Sequence, residues 1–269
     1  MSAGRQDVHR AGLTVASRGH RATGIVVSCE HGGNQVPPEF RELFADAEDL
    51  LDSHRGFDAG ALVLAQELAR ALDAPLVAAT TTRLVIDLNR SPGHRNIHSE
   101  RVAALPREVR DNIVERYYLP YRQRLEALVA GLIADGHVAT HVSSHSFTPV
   151  LHDEVRRADV GILYDPGRPG EVALADRWIA ALRARAPQLT LRRNYPYTGK
   201  SDGLCTWLRR RHPPADYVGI ELEVNQRHVA AGGPRWRALR AALVASLVAA
   251  LAAEPRISPR SEPADGPWS

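Results

Sequence analysis

The sequence predicts an α/β fold: a three-layer α/β/α sandwich around a central sheet of mostly parallel or mixed strands. Three observations carry that reading. Short β-branched or apolar runs alternate with stretches at helical spacing. Several of those runs end abruptly in polar residues, and ligands in open α/β sheets sit beyond the carboxyl ends of strands. Finally, 269 residues with an ordinary hydrophobic share of 44% suit one large domain better than two.

Along the chain, residues 1–22 are polar and basic with no apolar core, and read as a disordered leader. Residues 23–253 read as a single hydrolase-type domain, and 254–269, rich in Pro and Ser, as a flexible tail. Ile25 to Val27 is a short buried strand that stops at Glu30-His31, and Gly32-Gly33 makes a turn where backbone can approach a ligand. Val36-Pro37-Pro38 is a stiff loop and Asp46 to Leu51 a short helix. Asp58 to Leu72 is an amphipathic helix, with Ala61, Leu62, Ala65, Leu68, Ala69 and Leu72 at helical spacing. Asp58 at its start is either an N-cap or a site residue. Leu76 to Ala79 and Leu84 to Leu88 read as strands, and Glu108 to Ala134 as a long helix kinked or broken at Pro120. Tyr117, Tyr118 and Tyr121 are taken as packing residues of that helix. His137 to Ser144 is a strand that runs into His145. Val160 to Tyr164, Leu189 to Arg193 and Asp216 to Asn225 are further strands. Glu171 to Arg185, Leu204 to Arg211 and Trp236 to Ala253 complete the helices. There is no internal repeat, Walker loop or GxGxxG.

The chemistry gathers at strand ends. One strand delivers Glu30 and His31, another His145. A third places Glu221 and Glu223 on one face of an otherwise apolar run. Glu is depleted in strands and rarely buried unpaired, so that face lines a cleft. Two histidines and a carboxylate form the ligand set of a catalytic zinc with an open position for water, and a further Glu as base completes a metal-assisted hydrolase. Arg90, closing the stretch from Asp87, suits a two-pronged grip on a substrate carboxylate; a surface salt bridge is the alternative. His94, Arg95 and His98 follow in a loop, as substrate contacts or solvated residues. Cys29 is either a thiolate ligand or a buried structural thiol.

Composition narrows the class. The pI is about 9.1, yet Lys200 is the only lysine and the arginines are spread along an alanine-rich chain. That pattern reflects the codon bias of a high-GC bacterial genome rather than a nucleic-acid surface. The dense run Arg209-Arg210-Arg211 reads as a solvated helix face or a frame for an anionic ligand. No charge-free apolar run reaches membrane length, and two cysteines make no disulfide framework. The expectation is a soluble cytoplasmic protein, monomeric or a small homo-oligomer, whose partner is a small molecule and neither nucleic acid nor membrane.

Six stretches in order resemble the N-formylglutamate amidohydrolase family. They are Cys29-Glu30-His31; His54 with Asp58-Ala59-Gly60-Ala61; Arg83-Leu84-Val85-Ile86-Asp87-Leu88-Asn89-Arg90; His145-Ser146-Phe147-Thr148-Pro149; Asn194-Tyr195-Pro196-Tyr197; and Glu221-Leu222-Glu223-Val224-Asn225-Gln226. More distantly, the chain is similar to zinc carboxypeptidases, whose HxxE, His-Ser-Tyr, Asp-x-Asn-Arg and Glu-Leu-Arg motifs are matched by His31, His145-Ser146-Phe147, Asp87-Leu88-Asn89-Arg90 and Glu223-Val224-Asn225. The resemblance implies a carboxypeptidase-like hydrolase fold and cleavage of an N-formyl or other N-acyl amide of an acidic amino acid. It implies one Zn2+, or another divalent metal, held by His31, His145 and a third ligand. In the third position Asn34 replaces the Glu of HxxE, so another carboxylate must serve, Asp58 ahead of Glu30, or metal binding is weakened. Glu223 is the implied base and Glu221 a supporting group that holds a ligand histidine or pairs with an arginine. Arg90 with Asn89 orients a carboxylate, and Arg83, Asn194 and Tyr197 are further substrate contacts. A weak or inactive binding protein for a carboxylated metabolite, and a zinc peptidase acting on a small peptide, are the alternatives.

Overall fold

Residues 23–253 are described by a computed structural model, and the expected leader (1–22) and tail (254–269) lie outside the described residues. Six strands form the main sheet: β1 (Thr23–Cys29), β2 (Leu76–Ala78), β3 (Val138–Phe147), β6 (Val160–Leu163), β7 (Leu191–Arg193) and β8 (Tyr217–Asn225). Their order is β2-β1-β3-β8-β6-β7, and every pairing is parallel except β6 with β8. The sheet is therefore mixed. A separate hairpin pairs β4 (Val150–Leu151) with β5 (Glu154–Val155).

Strands covered on both faces must be apolar on both, and all nine residues of the central β8 are buried. Val218, Ile220, Leu222 and Val224 point to one layer, formed by α2 (Ala61–Ala71), α6 (Pro169–Arg185) and α9 (Gly233–Ala252), where Leu68, Trp178 and Leu243 join them. The opposite layer holds α4 (Arg107–Ile113), α5 (Leu119–Ala134) and α7 (Leu204–Arg209), with Ile113, Leu125, Val129 and Leu208 against Val26 and Tyr217. Short helices α1 (Glu48–Asp52), α3 (Glu100–Ala103) and α8 (Gln226–Ala231) fill connections. No helix among the described residues is long and apolar enough to cross a membrane.

Four local expectations need correction. Leu84 to Leu88 is no strand: Val85 N–H turns back to Thr82 C=O at 3.0 Å, and the apolar side chains are buried in the second layer as parts of a folded-back segment. Burial and β-strand share a sequence signature when the run is this short. Gly32 and Gly33 admit backbone rather than a ligand, since a Cβ on them would meet the carbonyls of Ala79 and Thr80 at 2.8 and 2.7 Å. Around Pro120 the helix runs on, so of the expected kink or break only the break is excluded. A wide π-type turn over Val114–Tyr118 precedes α5, as expected where a proline has no N–H for the preceding turn. Arg209 is buried rather than solvated: its Nε donates to Glu171 Oε1 at 2.9 Å and its Nη2 to Gly219 C=O at 2.9 Å, while Arg211 stacks 3.5 Å from the Trp207 ring centre. That part of the arginine run holds the fold together.

Candidate active site

At the carboxyl ends of β1, β3 and β8 polar residues gather on the sheet face that carries Glu221 and Glu223. β1 hands its last residues to Glu30 and His31, and β3 continues through His145, so that His145 pairs in register with Glu223 and Ser143 with Glu221. Asp58 arrives from the loop before α2. Its N–H donates to His31 C=O at 2.9 Å, and α2 begins only at Ala61, behind Gly60 in the left-handed region (φ 79°). A Cβ on Gly60 would also strike Val229 at 2.6 Å, so glycine alone permits this entry. Asp58 is thereby freed from capping and turned into the cleft.

Three ligand atoms converge there. His31 Nδ1 and His145 Nδ1 lie 3.4 and 2.9 Å from Asp58 Oδ2, and one donor atom from each residue falls within 4.8 Å of the others. All three side chains are buried. Each imidazole is held from behind by a carboxylate: His31 Nε2 meets Asp87 Oδ1 at 2.7 Å, and His145 Nε2 meets Glu30 Oε2 at 3.1 Å and Ser143 Oγ at 2.8 Å. Carboxylate-backed imidazoles with their near nitrogens on a common point are what a metal-ligating histidine needs. Two nitrogens and one oxygen leave further coordination open, as a catalytic zinc requires. The donor set fits such an ion.

The electrostatics agree. Burial opposes ionisation of Asp58, but the charge of His31 and hydrogen bonds from His145 and His31 outweigh it and hold the carboxyl well below the usual range. Burial likewise disfavours a charged His145, and its bonds to Asp58 and Glu30 override that, raising the imidazole. This ring of carboxylates favours positive charge at its centre, whether proton or metal cation.

Glu223 has the opposite environment. Desolvation pushes it up to about 8, against the lowering effect of His145, and its buried Oε2 has no hydrogen-bond partner among the described residues. Buried carboxylate oxygens are rarely left unpaired, which makes this atom a candidate functional group. Glu221 is also raised, chiefly by burial, and its carboxylate bonds to Asn89. Neither of its expected partners, a histidine of the cluster or an arginine, forms an ion pair with it among the described residues, and the imidazoles of His31 and His145 meet Asp87 and Glu30 instead.

The cavity in front of these groups has a volume of about 210 Å³. That is below the range of roughly 300–1,000 Å³ usual for drug-sized ligands, and suits a small metabolite. His54, Arg83, Asn89, Arg90 and Tyr197 line it together with His31, Asp58, His145 and both glutamates. Of the expected substrate contacts, Asn194 is not among the lining residues. Its Oδ1 accepts from Tyr164 N–H at 3.0 Å and Gly199 N–H at 2.9 Å, shaping the loop that carries Tyr197. Asn34 turns away to Asp52 at 2.7 Å. His94, Arg95 and His98 border a different groove, and Cys29 is a buried thiol that burial pushes up and that stands outside the ligand cluster. Arg83 binds Asp87 at 2.6 Å and Asp58 at 3.4 Å, so its charge is largely engaged by protein. Arg90 lies 3.9 Å from Asp87, and its charge helps to lower the carboxyl of Asp202, so it is less tightly paired than Arg83. The residues overlooked in the sequence are the supports: Asp87, Ser143 and Tyr121, whose hydroxyl donates to Glu30 at 2.9 Å. Nothing in helical or strand periodicity marks them, although Asp87 stands in a stretch that carries the family likeness.

Fold and cluster together define an α/β protein with a candidate metal centre at the carboxyl edge of its sheet. Known proteins agree with that class. The family model for N-formylglutamate amidohydrolase matches residues 23–230. A solved gene product from Agrobacterium tumefaciens is 29% identical, with a TM-score of 0.73 over 86% of this chain and 92% of that one. N-formylglutamate amidohydrolase from Ralstonia eutropha JMP134 is 20% identical, with a TM-score of 0.64 over 87% and 94%. A metallo-carboxypeptidase from Burkholderia cenocepacia is a remoter likeness, at 15% identity and a TM-score of 0.38 over 90% of this chain and 58% of the other. No curated protein sequence matches. The chain belongs to the N-formylglutamate amidohydrolase family, and is a hydrolase by that membership.

Proposed function

We propose that the protein is a zinc-dependent amidohydrolase that cleaves the N-formyl amide of an acidic amino acid such as N-formylglutamate, giving formate and the free amino acid. The observation that carries this reading is the convergence of His31 Nδ1, His145 Nδ1 and Asp58 Oδ2 beside the unpaired Oε2 of Glu223. Zn2+ held by those three residues would polarise the scissile carbonyl, lower the pKa of a coordinated water towards about 7 and draw Glu223 towards its ionised form.

The chain's own residues supply the rest. Glu223 Oε2 accepts a proton from the attacking water and later delivers it to the amide nitrogen as the C–N bond breaks, so one water is consumed and no proton is gained or lost overall. Asp87 and Glu30 fix the orientation of the two imidazoles. Arg90 and Asn89 orient a substrate carboxylate against this centre, which removes much of the entropic barrier. A binding protein without activity drew its support from Asn34, and that residue stands at Asp52, outside the ligand cluster.

Metal analysis of protein purified without chelator tests the reading: about one zinc per chain is expected, and His31→Ala or His145→Ala should abolish it. Absence of metal together with retained carboxylate binding would favour the inactive alternative. For Arg90, substitution by Lys keeps the charge and loses the two-pronged fork, so kcat/KM should fall by about 1–3 kcal/mol of transition-state binding. Kinetics equal to wild type in Arg90→Lys would remove the residue from the substrate site.

A further inference from the structure

Beside the cavity stands an arginine that the function above leaves unused. Arg156 is 7% exposed, and among the described residues it forms no ion pair. A buried cation without a counter-ion is costly unless something else meets it. Its position is fixed with care. The hairpin of β4 and β5 turns through His152 (φ 47°) and Asp153 (φ 64°), the left-handed pair of a tight two-residue turn. Arg156 follows directly, its N–H donating to Pro149 C=O at 2.8 Å and its own C=O accepting from Asn225 Nδ2 at 2.9 Å. Asn225 ends β8, two residues beyond Glu223. The hairpin is thus tied to the strand that carries the base.

The guanidinium faces Tyr197. Its carbon lies 5.3 Å from the ring centre, and Nη1 donates to the Tyr197 hydroxyl at 3.4 Å. With its oxygen accepting, that hydroxyl has its own proton free for a second acceptor. Tyr197 is 47% exposed and lines the cavity, as does His54. Burial first, then the charges of Arg156, Arg55 and Arg83, hold His54 below its usual range. This corner is therefore positive, and unlike Arg83 its innermost cation is not spent on a protein carboxylate.

We propose that Arg156, acting through the Tyr197 hydroxyl and beside His54, forms a second anion subsite that takes the side-chain carboxylate of the substrate. Arg90 with Asn89 takes the α-carboxylate. The inference rests on the amidohydrolase reading and deepens it by assigning the residues that read the side-chain charge of the substrate. Arg156 is a positioning and specificity residue, and it does not touch the reacting atoms.

The test compares N-formylglutamate with N-formylglutamine, which has the same shape and no side-chain charge, on zinc-loaded enzyme. Wild type should favour the acid by roughly 10- to 100-fold in kcat/KM, the range of a hydrogen bond to a charged group. Arg156→Met, which keeps bulk over the Tyr197 ring, should bring that ratio close to one through KM for the acid. Arg156→Lys should retain part of it, and Tyr197→Phe should lose part. Zinc content and thermal unfolding report on folding of each variant. A ratio unchanged in both Arg156→Met and Tyr197→Phe overturns the subsite. So does an equal loss on both substrates, which would make Arg156 structural, or a wild type blind to the side-chain charge. If zinc-loaded wild type hydrolyses neither compound, the amidohydrolase reading itself fails and the subsite falls with it.

Discussion

Glu223→Gln is expected to lower turnover by a factor of about 10² to 10⁴ while leaving zinc content and substrate binding in place. Both β8 glutamates face the cavity, so the choice between them rests on their surroundings. Glu223 Oε2 is buried without a partner among the described residues, and its neighbour in register is His145 of the candidate metal cluster. Glu221 sits one step further back, opposite Ser143, and bonds to Asn89. Gln at 223 preserves volume and one hydrogen-bond acceptor but cannot take a proton from water. Gln at 221 still meets Asn89, and its expected effect is a smaller change in how Asn89 and the substrate carboxylate sit. Single-turnover kinetics on the two variants, with metal content measured alongside, decides the matter. A normal Glu223 variant and a dead, zinc-replete Glu221 variant would reverse the roles.

Much of this site could be read from the chain because strand ends advertise themselves. Glu30-His31 and His145 interrupt apolar runs, and Glu221 and Glu223 violate the apolar pattern of β8 on one face only. Period-2 geometry then forces them to share a surface. The layers of the fold were legible for the same reason, since both faces of β8 need cover. What stayed hidden depends on contacts between distant segments. Asp87 looked like part of a strand with a substrate arginine, but the run Leu84–Leu88 is buried without being paired, and its fold brings Asp87 onto His31 across 56 positions. Asp58 read equally well as an N-cap, because an Asp before an apolar helical stripe is the usual signal. Only the left-handed turn at Gly60 separates it from α2. Arg156 carried no signal at all: it follows an exposed two-residue strand, and its meaning comes from Tyr197, 41 residues later.

The third ligand yields the sharpest remaining contrast, because Asp58 and Glu30 are both buried carboxylates at the same centre. Asp58 presents Oδ2 to the near nitrogens of both imidazoles, whereas Glu30 presents Oε2 to the far nitrogen of His145 and accepts from Ser143 Oγ at 2.6 Å. A ligand must share the side on which the imidazole nitrogens converge, and that is the side of Asp58. Asp58→Asn should therefore remove stoichiometric zinc and, with it, measurable hydrolysis, while the fold persists through the two apolar layers. Glu30→Gln should keep the metal with an affinity weakened about 10- to 100-fold, the usual effect of disturbing a group that orients a ligand histidine. Competition against a chelator of known affinity measures both, and circular dichroism verifies the fold. Should Asp58→Asn retain its zinc while Glu30→Gln loses it, Glu30 is the ligand, and the His145 ring must turn over when metal binds.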